Sequence, residues 1–293
     1  MYKSFDLQSL REIVSEWRSV GTSIALVPTM GNLHKGHLSL LSRAQELADR
    51  SVVSIFVNPI QFGEGEDYSN YPSTLEEDIE KLEEEGLDLL FAPNLTELYP
   101  GGIQEDTRIS VPALSDILCG AFRPGHFSGV ATVVGKLLIN VQPDYALFGE
   151  KDYQQVQVIE RMVRDLLFPT QIVRMPIVRE TDGLAMSSRN SYLDDDSREA
   201  ATTIYEALST AVSSLLRGAD IATVESSALD RLKAAGIRPE YFSVRDQDNL
   251  LPATHKDKKL VVLTAGWLGG ARLIDNLSVD LSQKVVNKDN REN

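Results

Sequence analysis

The chain has 293 residues, of which 42% are hydrophobic and 25% charged, as in an average globular protein with one large or two smaller domains. Its net charge of −14 disfavours DNA or tRNA as a partner, because proteins bind nucleic acids largely by neutralising phosphates with lysine and arginine. The single cysteine, Cys119, excludes an internal disulfide, no apolar run reaches the ~18 residues of a membrane span, and the N-terminus lacks a secretory signal. We therefore expect a cytoplasmic protein that does not contact membranes.

Apolar runs alternate with helix-period stretches between residues 23 and 178. The predicted strands are 23–27, 52–57, 89–92, 145–148 and 172–178. The predicted helices are 38–48, a helix from Ser73 or Thr74 to Gly86, 130–141 and 153–167. Ser73 and Thr74 are each followed three residues later by glutamate, which predicts a capping box. This alternation predicts an α/β fold with a Rossmann-like, doubly wound parallel sheet, in which ligands bind at the carboxyl ends of the strands.

The pattern changes after residue 182. Two helices are predicted at 197–216 and 221–235, followed by strands at 240–244, 259–264 and 271–275. This order predicts a smaller α+β C-terminal domain over residues 183–281, with a polar tail at 282–293. Residues 1–182 would then form the catalytic domain.

The most informative segment, Pro28–His37, follows the first strong strand and leads into a helix. His34 and His37 would lie near its first turn, where unpaired backbone N–H groups and the helix dipole favour an anion. The glycines Gly31 and Gly36 would allow a ligand close to the backbone. A bare His-x-x-His pair is more often a metal site or two surface histidines, but the glycine-rich turn favours a phosphate site here.

Two further segments have polar residues suited to nucleotide binding. Gly149–Gln155 again joins a strand to a helix, where Lys151 could meet phosphate and Asp152 could accept from ribose hydroxyls or merely cap the helix. Met186–Asn190 carries two hydroxyls and a guanidinium after Gly183, a composition that suits a phosphate clamp.

Taken in order, these segments resemble a known superfamily. The motif from His34 to His37 resembles the His-x-Gly-His signature of the nucleotidylyltransferases, which include class I aminoacyl-tRNA synthetases, and Met186–Asn190 resembles their Lys-Met-Ser-Lys-Ser loop. Further matches narrow the resemblance to the pantothenate synthetase family, over nearly the whole chain from Leu26 to Asp275. They are Val27–Gly31, Ser54–Pro59 with Gln61, Arg123–Phe127 with Gly129-Val130, Gln142–Asp144 and Gly149–Asp152.

The resemblance implies an ATP-dependent ligase that joins (R)-pantoate to β-alanine through a pantoyl adenylate, releasing pyrophosphate and then AMP. It also implies a homodimer, with Mg²⁺ on the ATP phosphates. Because pantoate is already a carboxylate, the first step needs positioning and positive charge at the phosphates, and no base. The residues expected to supply them include the catalytic set His34, His37, Lys151 and Arg189, with His37 as the family's catalytic histidine or proton donor.

The resemblance assigns the remaining site residues as follows. The ATP site would comprise Met30, Gly31, Asn32, Leu33, His34, Lys35, Gly36, His37, Gly149, Glu150, Lys151, Asp152, Val178 (through its backbone, against adenine), Met186, Ser187, Ser188 and Arg189. Gln61 and Gln155 would hold pantoate, with Gln61 also beside β-alanine. Met30, Phe62 and Val134 would either face the gem-dimethyl group of pantoate or belong to the ordinary core.

Several assignments stay open at the level of sequence. His126 could shape the substrate site or stabilise a turn, and His255 is expected at the surface. The acidic run 76–85 is expected to be one solvated helix face, with Asp78 as an alternative site for water-mediated Mg²⁺ binding. Two other functions fit part of the sequence: a nucleotidylyltransferase acting on a substrate such as phosphopantetheine, and a non-catalytic ATP-sensing protein.

Overall fold

The computed structural model describes residues 1–63, 65–66, 68, 71 and 74–282. These residues form two compact units. The first comprises Met1–Val178 with Met186–Ser188, and the second comprises Arg179–Ala185 and the chain from Arg189 onward. The sequence placed the boundary after residue 182; the predicted tail lies outside the described residues except for Ser282. Among the helices that the structure describes, none is long and apolar enough to cross a membrane.

A six-stranded parallel sheet forms the centre of the first unit. Its strands are β1 (Tyr2–Ser4), β2 (Ile24–Thr29), β3 (Arg50–Ile55), β4 (Leu89–Phe91), β5 (Tyr145–Gly149) and β6 (Gln171–Met175). They are ordered β1-β4-β3-β2-β5-β6, and every pair is parallel. The predicted parallel sheet is confirmed. β6 ends earlier than predicted because Pro176 follows, and proline has no N–H to donate to a neighbouring strand.

Helices flank this sheet. They are α1 (Leu7–Ser19), α2 (Lys35–Leu47), α3 (Leu75–Glu84), α4 (Leu95–Leu98), α5 (Cys119–Phe122), α6 (His126–Val141) and α7 (Tyr153–Asp165). Ala25 and Val27 of β2 share one buried cluster with residues of α2. Leu26 between them is also fully buried, and side chains alternate along a strand, so both faces of β2 are covered. This arrangement matches the predicted doubly wound layer.

The second unit is smaller and of α+β type, as predicted. It contains α8 (Asp195–Ala200), α9 (Thr203–Leu216), α10 (Ile221–Ala234) and the antiparallel sheet β7 (Arg238–Asp246), β8 (Lys259–Leu268) and β9 (Ala271–Asp280). The single helix predicted over 197–216 is wrong. The helix is interrupted after Ala200, where the hydroxyl of Thr202 donates to the backbone oxygen of Glu199 and competes with the helical bonds.

Two helix starts differ from the sequence prediction and affect the site. α6 begins at His126, one turn earlier than predicted, which places this histidine in the first turn. α3 has Thr74 as its N-cap residue, but the predicted capping box is wrong there, because the Thr74 side chain makes no capping bond. The Thr74 hydroxyl instead donates to Asp78 Oδ2 at 3.1 Å. Ser73, the other predicted cap, lies outside the described residues.

Candidate active site

The chain turns sharply between β2 and α2. Gly31 and Asn32 both adopt left-handed backbone conformations, with φ of +80° and +50°. His34 then takes the N-cap position with an extended backbone, and α2 begins at Lys35. The turn therefore delivers two histidines to the start of a helix at the carboxyl edge of the sheet, as the sequence predicted.

His34 and His37 cap this helix reciprocally. The Gly36 N–H donates to His34 Nδ1 at 3.1 Å, and the His34 N–H donates to His37 Nδ1 at 3.3 Å. The ring centroids lie 4.1 Å apart. A Cβ at Gly36 would come within 2.9 Å of the His34 ring, so this close packing requires glycine. A capping box is thus present, but two imidazoles form it.

Both rings are uncharged at neutral pH. Burial, together with the nearby Lys151, lowers the pKa of His34 to about 4. Burial likewise lowers the pKa of His37 to about 3, with contributions from His34 and Lys151. Because each Nδ1 accepts a backbone N–H, the proton of each neutral ring is on Nε2. Without a bound phosphate, these histidines therefore offer neutral N–H donors, and the nearby cation is Lys151.

The second nucleotide segment follows β5 as a 3₁₀ turn, Glu150–Asp152, that leads into α7. Asp152 occupies the N-cap position of α7, but its side chain makes no capping bond, so the interpretation of this residue as a simple cap is wrong. Lys151 Nζ lies 3.9 Å from Asp152 Oδ2. Burial raises the pKa of the Glu150 carboxyl.

Beside the histidine turn lies a cavity of about 160 Å³. Its polar lining includes His37, Asp152 and the two predicted glutamines, Gln61 and Gln155. The full lining is Pro28, Thr29, Met30, His37, Phe56, Gln61, Tyr71, Val130, Val133, Val134, Leu137, Phe148, Asp152 and Gln155. The structure thus brings together residues that are far apart in the sequence.

The apolar wall of this cavity differs in part from the prediction. Met30 and Val134 line it as expected, whereas Phe62 does not. The Phe62 ring packs against the rings of Tyr68 and Tyr71, and Tyr71 itself reaches the cavity. α6 contributes four residues with helical spacing, of which Val134 alone was predicted: Val130, Val133, Val134 and Leu137.

Asn58 sets the orientation of the Gln61 amide, a role that the sequence did not reveal. Its Nδ2 donates to the Gly129 oxygen at 3.1 Å and to Gln61 Oε1 at 3.3 Å. Its Oδ1 accepts from the Tyr99 hydroxyl at 2.9 Å. The bond to Oε1 fixes the amide so that its donor group, Nε2, lies 2.9 Å from Met30 Sδ, another residue of the cavity lining.

His126 holds the backbone carbonyl of this glutamine and does not line the cavity. Its Nδ1 lies 2.6 Å from the Gln61 carbonyl oxygen, and its Nε2 lies 3.0 Å from Arg123 Nη1. Burial lowers the His126 pKa to about 3, so the ring is neutral, and an arginine donor at Nε2 leaves the proton on Nδ1. Arg123 is itself paired with Glu66. The structural interpretation of His126 is supported by its bond to the Gln61 backbone, and a role in shaping the substrate site stays a prediction.

The predicted phosphate clamp divides between the two units. Within the first unit, the Met186 N–H donates to the Val178 oxygen at 3.0 Å, and the Ser188 hydroxyl donates to the Asn32 oxygen at 3.4 Å. Val178 also lies beside Gly36. Arg189 belongs to the second unit. The clamp segment up to Ser188 thus contacts the histidine turn.

The other predicted residues lie as follows. Lys35 is exposed on the first turn of α2, and His255 is exposed in the second unit, as expected. Asp78 is fully buried, so the prediction that the acidic run forms one solvated face is wrong for this residue. The described residues contain no group of three His, Cys, Asp or Glu side chains that could hold a metal ion.

Comparison with known proteins identifies the family. The family model described as pantoate–β-alanine ligase matches residues 4–278. The chain belongs to the pantoate–β-alanine ligase family. A pantothenate synthetase from Azotobacter vinelandii is 54% identical over 277 residues, covering 94% of this chain and 98% of the relative. A pantothenate synthetase from Pseudomonas paraeruginosa is 54% identical over 276 residues, covering 94% of this chain and 98% of the relative.

Solved structures of this ligase family share the fold. A pantothenate synthetase from Thermus thermophilus superposes with a TM-score of 0.89 at 44% identity, covering 94% of this chain and 99% of that one. A pantoate–β-alanine ligase from Francisella tularensis, described as complexed with β-γ ATP and β-alanine, has a TM-score of 0.80 at 35% identity over 94% of this chain and 97% of that one. Membership of a ligase family decides against both alternative functions raised from the sequence.

Proposed function

We propose that this chain condenses (R)-pantoate with β-alanine to form pantothenate, using ATP, through a pantoyl-adenylate intermediate. In the first step a pantoate carboxylate oxygen bonds to the α-phosphorus, and the bond to the bridging oxygen breaks to release pyrophosphate. In the second step the β-alanine amine bonds to the acyl carbon and loses a proton, and the bond to the AMP oxygen breaks.

One observation carries this proposal. His37 belongs at once to the capped helix start and to the lining of the glutamine-containing cavity. An α-phosphate at the helix start and a carboxylate in the cavity would therefore meet beside the same imidazole. Adenylyl transfer requires this proximity, since positioning of the two reactants supplies much of the rate enhancement.

The polar groups match the charges of the first step. The Nε2–H groups of His34 and His37 would donate to phosphate oxygens, and Lys151 and Arg189 would neutralise charge on the α-phosphate and on pyrophosphate. Ser187, Ser188 and the turn from Met30 to His37 would complete the nucleotide site, with the Val178 backbone against adenine. Asp152, which does not cap its helix, would accept from the ribose hydroxyls.

The cavity matches pantoate in the same way. Pantoate carries two hydroxyls, a carboxylate and a gem-dimethyl group. Gln61 and Gln155 offer amide donors and acceptors for the polar groups, and Met30 and Val134 offer an apolar wall for the methyl groups. β-Alanine would approach next to Gln61 once the adenylate has formed.

Mg²⁺ would accompany ATP. Because no three-ligand cluster exists among the described residues, the phosphate oxygens would provide most of its ligands, with water completing the shell. We also propose a cytoplasmic homodimer, on the family resemblance and the composition. Sedimentation of the purified protein would test the dimer; a single monomeric species at micromolar concentration would contradict it.

The deciding experiment follows AMP and pyrophosphate release with ATP, Mg²⁺ and pantoate, with and without β-alanine. We expect AMP only when β-alanine is present, with one pantothenate formed for each AMP. Pyrophosphate release without AMP under both conditions, or release that does not depend on pantoate, would contradict the proposal.

A further inference from the structure

The backbone N–H and C=O groups of Asn32 and Leu33, directly before His34, are hydrogen-bonded to side chains. The Asn32 N–H donates to Asp78 Oδ2 at 2.7 Å, and the Leu33 N–H donates to Asp78 Oδ1 at 2.8 Å. Lys81 Nζ donates to the Leu33 oxygen at 3.0 Å, and the Ser188 hydroxyl donates to the Asn32 oxygen at 3.4 Å. All four polar backbone groups of this dipeptide therefore have side-chain partners.

Two of these partners lie three residues apart on α3, on the side of the helix that faces the turn. The Asp78 side chain is 1% exposed, and besides the two N–H groups it accepts from the Thr74 hydroxyl and lies 3.8 Å from Lys81 Nζ. A buried carboxyl group needs such a set of donors, because burial without hydrogen bonds is costly. The surrounding groups therefore fix Asp78 in one place.

The backbone of the turn needs this support. Asn32 has a left-handed conformation, which asparagine adopts more readily than other residues with a side chain but less readily than glycine, and it follows a left-handed glycine. A Cβ at Gly31 would lie 3.0 Å from Asp78 Oδ2, so the carboxylate packs directly on the turn. Two N–H bonds to one carboxylate therefore hold the dipeptide in one of the several conformations open to it.

The orientation of both histidines depends on this turn. The His34 N–H, which comes directly after the Leu33 carbonyl, is the donor that holds His37 Nδ1. If the turn relaxed, this N–H would rotate and the reciprocal cap would be lost. The His37 ring would then be free to exchange its tautomer and to turn its Nε2–H away from the cavity.

We propose that Asp78 and Lys81 are positioning residues for adenylyl transfer, which hold the Asn32–Leu33 backbone so that His34 and His37 present their Nε2–H groups to the phosphate. This inference rests on the proposed function. It assigns Asp78 to the protein backbone, in contrast to the sequence alternative in which this carboxylate binds Mg²⁺ through water.

Two variants with a matched control test the inference. Asp78→Asn keeps the size of the side chain but replaces one acceptor by a donor that faces a backbone N–H. Lys81→Met keeps the aliphatic stem and removes the bond to the Leu33 oxygen. Glu77→Gln removes one negative charge from the exposed face of the same helix and serves as the control.

We expect Asp78→Asn to lower kcat for adenylate formation about 100-fold, since a displacement of about 1 Å in a catalytic group has an effect of this size. Lys81→Met should lower kcat about 10-fold, because a single bond is lost. The pantoate KM should change less than 3-fold in both, and Glu77→Gln should match the wild type. Imidazole ¹⁵N spectra should show one Nε2–H tautomer for His37 in the wild type and mixed tautomers in Asp78→Asn.

The possible outcomes separate the explanations. Full recovery of Asp78→Asn at high Mg²⁺ would assign the carboxylate to the cation and overturn the inference, as would wild-type kcat in that variant. If Asp78→Asn does not fold, Lys81→Met decides: wild-type kcat with an unchanged His37 tautomer would overturn it. Inactivity of the wild type and of Glu77→Gln would instead count against the proposed function.

Discussion

Two neighbouring parts of the first unit, the turn from Gly31 to His37 and the α6 wall of the cavity, acquire their shapes by different interactions. The turn is fixed by directed hydrogen bonds, each with one donor and one acceptor. The wall is made of valine and leucine side chains, whose apolar contacts have no directional requirement. Loss of one donor or acceptor should therefore lower the rate by a factor of about 10 or more at the turn, whereas the wall should respond in proportion to the volume removed.

The largest effect should come from the turn. His37→Ala removes both an Nε2–H donor and half of the reciprocal cap, and we expect about a 1,000-fold loss of adenylate formation. His37→Gln is the matched control for folding, because an amide at this position can still accept the His34 N–H. Stopped-assay measurement of pyrophosphate gives the rate; wild-type-like turnover of His37→Ala would refute the assignment.

The glutamines of the cavity should give an intermediate effect. If Gln155 holds pantoate as proposed, Gln155→Ala removes its amide contacts. We therefore expect the pantoate KM to rise about 10-fold or more with a smaller change in kcat, as for the loss of one buried hydrogen bond. Gln155→Glu should raise it further, because a second carboxylate repels the substrate. An unchanged pantoate KM in both variants would show that pantoate binds elsewhere.

The apolar wall should respond mildly. Val134→Ala enlarges the cavity by the volume of two methyl groups, and we expect about a 5-fold loss in kcat/KM for pantoate, equivalent to about 1 kcal/mol. Ile139→Ala, on the exposed side of α6, is the control and should leave kcat/KM unchanged. A loss as large as that of His37→Ala would mean that the wall also positions the reacting groups.

The smallest effect on kcat should come from changing the pH near neutrality. Burial holds the pKa of His34 at about 4 and that of His37 at about 3, so neither ring changes charge between pH 6 and 8. We expect kcat to change less than about 2-fold from these groups over that range. A bell-shaped profile with an acidic limb near pH 6.5 that is lost in His34→Gln would contradict this.

The same lowered pKa values affect stability in acid. In the unfolded chain each histidine takes up a proton near pH 6.5, whereas the buried rings of His37 and His126 do not until about pH 3. Their contribution to stability is therefore complete above about pH 6.5 and is lost as the pH falls toward 3. Urea midpoints at pH 7.5 and 5 would check this, with the exposed His255→Gln as a variant that should behave like the wild type.

Much of the fold could be predicted because it follows from local patterns. Runs of β-branched and aliphatic residues predict the central strands. The strand-to-helix turns indicate the edge of the sheet where the polar residues of the site lie. β1 and α1 were missed, since β1 has only three residues and its pairing with β4 joins distant parts of the chain. α6 is apolar on nearly all sides, so its periodicity could not show which face lines a cavity.

The site was predictable where motifs are contiguous and not where contacts are distant. The histidine pair follows from a contiguous motif and the glutamines only from the family resemblance, whereas Asp78 has the pattern of any member of an acidic helix face. The backbone N–H groups of the turn that donate to Asp78 lie more than 40 residues away from it. The capping box was sought in the Ser/Thr-x-x-Glu pattern, although the observed one uses imidazoles. An imidazole Nδ1 accepts only when the ring is neutral, and that depends on burial, which a sequence pattern does not contain.

The glycine between the histidines has a consequence for protein engineering. The backbone at Gly36 has no space for a side chain, because the imidazole of His34 occupies it, whereas the side chain of Lys35 extends into solvent. In a codon-randomised library selected for growth without added pantothenate, position 35 should accept many amino acids and position 36 only glycine. Position 35 is thus open to substitution, and its neighbour is closed to redesign.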